Sequence, residues 1–365
     1  MLSKPKQYQF FSTTLLHWHA HHNTRQMPWK GETDPYKIWL SEVILQQTQV
    51  AQGWAYYLRF VAQYPTVQHL AIAPHGEVYK LWEGLGYYSR CKNLLAAAQQ
   101  VTKEFGGVFP NTYAQLLQLK GVGAYTAAAI ASFAFGLPHA VVDGNVLRLL
   151  SRFFYITLPI DSTEGKQVLT SMAQALMVTN QAAAYNQAIM DFGATVCKPK
   201  QPLCGECVFS HNCQALAKQT VQLLPAKAKK AAKKTRWFCY LVVRWPAKGL
   251  VLARQRGPGD VWENLWEYAL LEDAAAFDWT DADMEAYLNQ WLGTQARVLY
   301  RTPVATQQLT HQSIHCRFVV CEAKGPKKPP LGFEWIPMAN VEDRAWPRSI
   351  ASFNTQTGPQ AFTLF

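Results

Sequence analysis

The chain has 365 residues, of which 49% are hydrophobic, and its 35 Lys and Arg outnumber its 24 Asp and Glu. This length allows two hydrophobic cores, and the high apolar content excludes an intrinsically disordered protein. No apolar run reaches the roughly 20 residues of a membrane helix, and the first residues lack the apolar core of a secretory signal. We therefore expect a cytoplasmic protein without a membrane partner.

The positive charge is concentrated in the first two thirds of the chain. Residues 1–213 carry 16 basic and 11 acidic side chains, residues 214–236 carry seven basic and no acidic ones, and residues 237–365 carry 12 basic and 13 acidic ones. A basic first part and a basic connector suit a polyanion such as nucleic acid. The same balance is equally typical of ordinary surface charge.

The first predicted domain, residues 1–220, is mainly helical. Asp34 and Pro35 predict a helix start, with Asp34 as the N-cap and Pro35 in the first turn. Short turns rich in Gly and Pro separate the helices that follow. These are predicted over residues 76–82, 90–104, 112–118, 124–135, 146–154, 163–178 and 182–192.

The composition changes after this helical region. Residues 221–236 are rich in Lys and Ala and predict a flexible basic linker. Residues 237–245 and 249–256 then predict a β-hairpin, which opens an α+β domain over residues 237–365. Its further strands are expected near 265–271, 297–303 and 314–323, and its helices near 281–291 and 347–353.

Four of the eight cysteines lie within seventeen residues, with the spacing C-x6-C-x2-C-x5-C. They are Cys197, Cys204, Cys207 and Cys213. Four thiolates so close together can enclose a zinc ion or a [4Fe–4S] cluster. The spacing matches neither the paired zinc pattern nor the ferredoxin pattern, so the metal stays open, and unligated thiols remain the alternative.

Two glycines, Gly121 and Gly123, flank Val122 immediately before the apolar helix predicted over 124–135. Backbone amides in such a turn, together with a helix N-terminus, can bind a phosphate without reading a base. An isolated GxG is most often a simple turn. Its position between two helices favours a helix–hairpin–helix DNA-binding motif.

Two acidic residues form a contrasting pair. Glu42 lies on the apolar face of its predicted helix, where burial raises a carboxyl pKa. Asp143 precedes a helix whose amides favour an ionised carboxylate. One neutral and one charged acid could cleave an N-glycosidic bond as general acid and electrostatic stabiliser. A hydrogen-bonded core Glu and a plain N-cap, at Asp143 or Asn145, are the alternatives.

Polar and aromatic residues on two loops could enter a base stack. Gln47 and Thr48 follow the helix of Glu42, and Tyr87 follows a Gly-Leu-Gly turn. Amides and aromatic rings beside a basic surface can hold a duplex open. Packing aromatic rings and solvent-facing amides are the alternative.

The chain resembles the MutY adenine DNA glycosylases of the helix–hairpin–helix superfamily. The resemblance covers almost all of residues 25–213, in the family's order. Its motifs are WLSEVILQQTQV, LWEGLGYYSR, LKGVGAYTAAAI, VVDGNV, YNQAIMDFGATVC and the cysteine spacing. It implies a helix–hairpin–helix glycosylase domain with a [4Fe–4S] cluster on the four cysteines. It also implies a monomer that removes adenine paired with 8-oxoguanine or guanine from double-stranded DNA, in a bacterial-type cell at the nucleoid.

The resemblance also implies roles for single residues. Glu42 would protonate the departing adenine, and Asp143 would stabilise the oxocarbenium-like sugar or help a water or a transient covalent adduct form at C1′. Tyr125 and Asn145 would support the reacting centre. Gln47 and Tyr87 would fill or wedge the stack opposite the damaged base. Those expected to line the adenine pocket are Arg25, Trp29 and Gln187, the last at a position where some relatives have Glu.

Endonuclease III enzymes are the nearest alternative. They are similar to this chain but carry, at the position of Tyr125, a lysine that forms a Schiff base and cuts the backbone. Lys120 lies on the other side of the turn, and a tyrosine cannot form an imine. A monofunctional hydrolase is therefore expected over a bifunctional lyase. A catalytically silent DNA-binding module or iron–sulfur sensor is a third reading, which the presence of both acids disfavours.

The second domain resembles the family's Nudix-like C-terminal domain, which recognises 8-oxoguanine in the opposite strand. It has no REx2EE box, so pyrophosphate hydrolysis is not expected. The recognition loop, Phe-Ser-His in many relatives, corresponds here to Leu309, Thr310 and His311, which lack the aromatic wedge. The final residues QAFTLF resemble short peptides that bind a bacterial sliding clamp, with a frayed tail as the alternative.

Overall fold

The computed structural model describes residues 4–228, 233–324 and 328–361. The chain divides into two compact units, of which the first comprises Met1–Ile72 and Lys92–Lys230 and the second Ala73–Cys91 and Ala231–Phe365. No helix in the described ranges is long and apolar enough to cross a membrane. The predicted linker includes residues 229–232, which lie outside the described residues, so the domain boundaries at 220 and 236 stay a prediction.

The α-helices of the described residues fall mostly in the first unit. In chain order they are α1 Lys4–His22, α2 Pro35–Leu45, α3 Val50–Gln63, α4 Val67–Ala71, α5 His75–Trp82, α6 Ser89–Glu104, α7 Tyr113–Leu116, α8 Ala124–Phe135, α9 Gly144–Phe154, α10 Thr163–Ala175, α11 Ala182–Thr195, α12 Gln214–Ala217, α13 Asp281–Leu292 and α14 Arg348–Ala361.

Local signals set the helix boundaries that were predicted well. Helix α2 begins after Asp34, whose carboxylate accepts the amide of Tyr36 at 2.9 Å, and Pro35 occupies its first turn. Helix α8 is apolar on all sides because it is enclosed by α2, α7 and α11. Helices α1, α3 and α4 were not placed individually by the sequence patterns.

Stacked aromatic rings form the core of the first unit. Phe11 of α1 stacks on Phe209 with ring centroids 4.8 Å apart, and Phe153 of α9 and Phe192 of α11 pack against the same ring. Phe209 lies between the cysteines Cys207 and Cys213, so this core joins three helices to the cysteine loop. Burial of this much aromatic surface fixes the loop against α9 and α11.

The second unit contains one mixed sheet. Its strands are β1 Lys234–Trp245, β2 Leu250–Gln255, β3 Trp266–Glu267, β4 Ala269–Asp273, β5 Ala296–Arg301, β6 Ala305–Gln308, β7 Gln312–Ala323 and β8 Glu334–Pro337. The main path runs β3-β2-β1-β7-β5, with β1 and β7 parallel and the other pairs antiparallel. The predicted hairpin of β1 and β2 is confirmed, with Trp245 opposite Leu250.

Both faces of this sheet are covered by a helix. Met284 and Leu288 of α13 pack against Leu241 of β1 on one face. On the other face Phe353 of α14 stacks on Phe318 of β7, with centroids 4.2 Å apart. Strand β1 is therefore buried on both sides, which explains its continuous apolar sequence.

A segment of the helical region, Ala73–Cys91, belongs to this second unit. The amide of Asn264 donates to the Tyr79 hydroxyl at 3.1 Å, and the backbone amide of Trp346 donates to Glu83 at 2.9 Å. The sequence pattern assigned this segment to the first domain. These long-range hydrogen bonds have no local sequence signal, so only the structure shows them.

Candidate active site

Glu42 lies in the last turn of α2, and its side chain is buried as predicted. The pKa of this carboxyl is raised to about 7, mainly because the group is buried; a hydrogen bond with Tyr125 partly opposes the rise, and the nearby charge of Asp143 adds to it. A carboxyl with this pKa can hold a proton near neutral pH and release it to a reacting group. Geometry and burial therefore allow Glu42 to act as a general acid.

Asp143 is the N-cap of α9. Its Oδ1 accepts the backbone amides of Asn145 and Val146, both at 2.8 Å, and its Oδ2 accepts the Asn145 side-chain amide at 2.6 Å. The same hydrogen bonds therefore cap the helix and hold the Asp143 carboxylate in place. Burial nevertheless raises the pKa of Asp143, and these hydrogen bonds only oppose that rise. The sequence reasoning considered the helix amides and overlooked the burial.

A second layer of hydrogen bonds holds Asn145 in place. Arg148 donates to the Asn145 side-chain oxygen at 2.8 Å, to the Gly193 carbonyl at 2.7 Å and to the Cys197 carbonyl at 2.8 Å. The orientation of the Asn145 amide, and with it that of Asp143, is therefore set by a guanidinium bound to the end of α11 and to the cysteine loop.

Both acids line one cavity of about 420 Å³ in the first unit. This volume lies within the range of small-molecule sites, and the cavity is large enough for a purine. Six other predicted residues line the same cavity. They are Arg25, Trp29, Thr48, Tyr125, Asn145 and Gln187.

The cavity also contains residues that the sequence reasoning missed. Its further lining includes His19, Met27, Lys30, Ser41, Phe133 and Met190. Asp191 is a fully buried carboxylate that lies 2.7 Å from Arg25 and 3.8 Å from Lys30. His19 is linked to it through the side-chain amide of Asn23. The one sequence signal for these missed residues was an Asp in the apolar sequence of α11, six residues before the first cysteine of the loop.

Gln47 and Tyr87 lie outside this cavity on exposed loops. Their φ angles are +57° and +47°, in the left-handed region that residues with a side chain rarely adopt. Strain of this kind costs about 1–3 kcal/mol and is concentrated at functional sites. Both residues predicted to enter the base stack therefore have unusual backbone conformations.

The turn before α8 has the geometry of a phosphate site. Gly121 has φ +72°, and a Cβ there would lie 2.6 Å from the Asn93 Cβ, so this position requires glycine. Gly123 is the N-cap of α8, and a Cβ added there would meet no atom within 4 Å. The first glycine thus shapes the turn, and the second leaves space in front of the helix N-terminus, where an anion is stabilised.

The four cysteines of the loop, Cys197, Cys204, Cys207 and Cys213, line one small apolar cavity and are all free thiols. Arg152 of α9 lies over this cavity, with its guanidinium 3.4 Å from the Cys197 sulfur and 2.7 Å from the Lys198 carbonyl. Among the described residues, no group of three or more His, Cys, Asp or Glu side chains is placed to hold one metal ion.

The predicted recognition loop connects β6 and β7. The backbone amide of Leu309 donates to the Gln312 carbonyl at 2.8 Å, which closes a tight turn, and Thr310 and His311 are exposed at its tip. The Thr310 hydroxyl lies 2.9 Å from that of Tyr87. The second unit therefore joins the predicted wedge directly to the predicted recognition loop.

Residues 40–169 match the family model of the HhH-GPD superfamily of base excision DNA repair proteins. A solved thermostable thymine-DNA glycosylase superposes with a TM-score of 0.55 and 29% identity, covering 59% of this chain and 98% of its own. A trapped endonuclease III–DNA covalent intermediate superposes with a TM-score of 0.52 at 21% identity, covering 60% and 99%, which shows the fold alone. Fold and site thus define a helix–hairpin–helix base excision repair protein.

Similar proteins of known activity identify the family within this class. The chain is 32% identical over 257 residues to the adenine DNA glycosylase of Buchnera aphidicola subsp. Baizongia pistaciae, covering 70% of this chain and 72% of that protein. It is 44% identical to the human adenine DNA glycosylase over 214 residues, which are 56% of this chain and 39% of the human protein. The chain belongs to the adenine DNA glycosylase family.

Proposed function

We propose that this enzyme flips adenine out of a mispair with 8-oxoguanine or guanine and hydrolyses its N-glycosidic bond without cutting the backbone. The observation that supports it most is the shared cavity, in which a buried acid with a pKa of about 7 and a triply hydrogen-bonded carboxylate line the same space. An acid and a charged carboxylate in one purine-sized cavity suit this reaction.

The reaction follows from these positions. Glu42 donates its proton to a ring nitrogen of the extruded adenine while the C1′–N9 bond breaks, so adenine departs as a neutral base. Asp143 stabilises the cationic sugar, and a water attacks C1′ and gives its proton to the Glu42 carboxylate, which restores the acid. Tyr125 supports Glu42 by its hydrogen bond, and Asn145 fixes the Asp143 carboxylate.

DNA would be bound by the turn before α8 and opened by the strained loops. Amides at Gly123 and the N-terminus of α8 suit a phosphate, with Gly121 shaping the turn. Gln47 and Tyr87, both with unusual backbone conformations, would enter the stack that the extruded base leaves, and Thr48 lines the cavity. Extrusion would bring one unpaired adenine into the cavity.

The arrangement of lysines favours a monofunctional enzyme. Tyr125 lines the cavity where a lyase needs an amine, and Lys120 lies outside it. Lys30 is the one lysine among the described lining residues. Its side-chain nitrogen donates to the Arg25 carbonyl at 2.8 Å and lies 3.8 Å from the Asp191 carboxylate. To form a Schiff base, this nitrogen would first have to leave both contacts and reach C1′.

A release assay tests the function. Duplexes that differ only in the base opposite adenine are incubated with the enzyme, and free adenine and strand breaks are measured separately. We expect adenine release opposite 8-oxoguanine and guanine, no strand break before alkali treatment, and no borohydride-stable crosslink. Absence of release from every mispair would instead favour the silent DNA-binding module, and a strong crosslink on oxidised pyrimidines would favour the lyase.

We propose that the cysteine loop would hold the [4Fe–4S] cluster that the family resemblance implies. Its four thiols line one small apolar cavity, and cysteine thiolates are the usual ligands of such clusters. Arg152 beside Cys197 would offset the negative charge of the thiolates. When bound, such a cluster supplies a rigid crosslink for the loop.

This assignment predicts the metal content. Protein purified without oxygen is expected to contain iron and acid-labile sulfide in equal amounts. Cys207→Ser should lower both, whereas Cys91→Ser, at a buried cysteine outside the loop, should leave both unchanged. Zinc without iron would contradict the assignment.

The second unit would recognise the opposite base. Its mixed sheet, with parallel β1 and β7 and a helix on each face, supports the Nudix-like assignment. Leu309 gives the loop an apolar tip residue, and Thr310 and His311 offer a hydroxyl and an imidazole to 8-oxoguanine. The sliding-clamp peptide QAFTLF, residues 360–365, lies outside the described side chains and stays a prediction. The monomeric state and the location at the nucleoid also stay predictions.

The contact between Tyr87 and Thr310 predicts coupled effects on mispair recognition. Removing either hydroxyl, by Tyr87→Phe or Thr310→Val, should weaken binding to the 8-oxoguanine duplex several-fold, since one hydrogen bond contributes about 0.5–1.5 kcal/mol. The double variant should lose little more than either single one. Equilibrium titration of all four proteins measures this coupling, and strictly additive losses would show that the two hydroxyls act separately.

A further inference from the structure

His19 is a cavity residue that the proposed reaction does not use. It lies in the last turn of α1, is partly buried, and lines the same cavity as Glu42 and Asp143. Its neighbours within the first unit are Asn23, Lys30 and Asp191. The proposed mechanism gives this imidazole no role.

The hydrogen bonds of Asn23 determine which ring nitrogen of His19 carries a proton. The Asn23 side-chain oxygen accepts the backbone amide of Arg25 at 3.1 Å, and its nitrogen donates to the Asp191 carboxylate at 2.8 Å. This pair of contacts fixes the orientation of the amide, since the reverse orientation would place two oxygens against each other. The second proton of the same nitrogen therefore points to His19 Nδ1, 2.9 Å away.

A nitrogen that accepts a hydrogen bond carries no proton. Neutral His19 must then hold its proton on Nε2, and protonation of Nδ1 would break the contact with Asn23. Burial lowers the pKa of His19, the positive charge of Lys30 lowers it further, and Asp191 opposes them. Among the residues that the structure describes, none accepts a hydrogen bond from Nε2. His19 is thus a neutral imidazole with one unused donor.

We propose that His19 is a base-contacting residue that donates from Nε2 to a ring nitrogen of the extruded adenine. The proposal rests on the proposed function, because it names how that cavity distinguishes its base. Adenine presents acceptors at N1, N3 and N7 and a donor at its amino group, so a fixed donor can pair only with a ring nitrogen. A donor at N1 would also reject guanine, whose N1 carries a proton.

The test removes the donor and then the acceptor. His19→Phe keeps a ring of similar shape without the N–H, and is compared with wild type in single-turnover adenine release. We expect a three- to tenfold lower rate, the range of about one neutral hydrogen bond. His22→Phe, at an exposed histidine in the same helix turn, is the matched control and should leave the rate unchanged.

The acceptor is identified by binding in an Asp143→Asn background, which prevents cleavage. Duplexes contain adenine or its 1-deaza, 3-deaza or 7-deaza analogue, and each is titrated with and without His19→Phe. We expect the same three- to tenfold loss for adenine and two analogues, and no loss for the analogue that lacks the acceptor contacted. Thermal unfolding of the variants shows whether α1 stays folded.

Two results would overturn the role of His19. One is a His19→Phe protein that releases adenine at the wild-type rate. The other is an equal loss of affinity for all four duplexes, which indicates a purely structural effect. If wild-type protein releases no adenine from any mispair, the proposed function itself fails, and the two failures are distinguished by the wild-type arm.

Discussion

Replacing Asp143 by asparagine is expected to lower adenine release by about 10³-fold while leaving duplex binding intact. Removal of a preorganised electrostatic stabiliser of a transition state costs about 10²–10³ in turnover. Asparagine is as good an N-cap as aspartate, so α9 should begin at the same residue. Single-turnover release and equilibrium binding, measured on the same 8-oxoguanine duplex, separate the two effects.

The matched control is Asp34→Asn, the same change at the N-cap of α2. Asp34 also accepts a backbone amide at its helix start, but it does not line the cavity. Its variant should keep the wild-type rate and lose at most about 1 kcal/mol of stability. If Asp143→Asn retained turnover within a few-fold of wild type, an N-cap without a catalytic role would be the correct description of Asp143.

Replacing Glu42 by glutamine is expected to lower release by about 10²–10⁴-fold, because it removes the proton that adenine takes on departure. Glutamine keeps the size of the side chain and an oxygen for the hydrogen bond with Tyr125. The exposed Glu77→Gln serves as the control and should be fully active. Single-turnover rates of wild type and the two variants test whether Glu42 is the acid. A fully active Glu42→Gln protein would exclude this role.

The pH dependence of the wild-type enzyme provides a second measurement on this group. Burial raises the pKa of Glu42 to about 7, so the protonated form that acts as acid is lost as the pH rises through about 7. The single-turnover rate should therefore fall above pH 7. The residual rate of Glu42→Gln should lack this descending limb, and a limb at the same pH in the variant would assign it to another group.

The same shift has a consequence for stability, with a definite sign. The unfolded chain loses the Glu42 proton near the ordinary glutamate pKa, whereas the folded chain keeps it up to about pH 7. Between these values the folded state binds more protons, so wild-type stability decreases as the pH rises through this window. Glu42→Gln carries no charge there and should show a flatter profile in urea unfolding.

Local sequence signals predicted helices and the strongest site residues. The Asp34-Pro35 start and the helix over residues 124–135 agree with the structure because caps and glycine turns act within a few residues. Strands β6 and β8 were missed because they are short and lack an apolar alternation, and they exist only through pairing with β7 and β2.

Tertiary contacts account for what was missed in the site. His19 has the sequence context of an exposed polyhistidine helix end, and its position on the cavity depends on Asn23 and Asp191, the latter far along the chain. The placement of Tyr87 in the second unit likewise depends on partners more than two hundred residues away. No periodicity in one sequence reports such partners, whereas the paired acids could be predicted from burial and capping.

Arginines of helix α9 connect the cysteine loop to the carboxylate of Asp143. Arg152 grips the loop through the Lys198 and Pro199 carbonyls, and one turn earlier Arg148 holds the Cys197 carbonyl together with the Asn145 amide. Displacement of the loop would therefore remove one acceptor from Arg148, which holds the Asn145 side chain against Asp143. The alignment of the Asp143 carboxylate thus depends partly on Cys197, a residue that does not line the cavity.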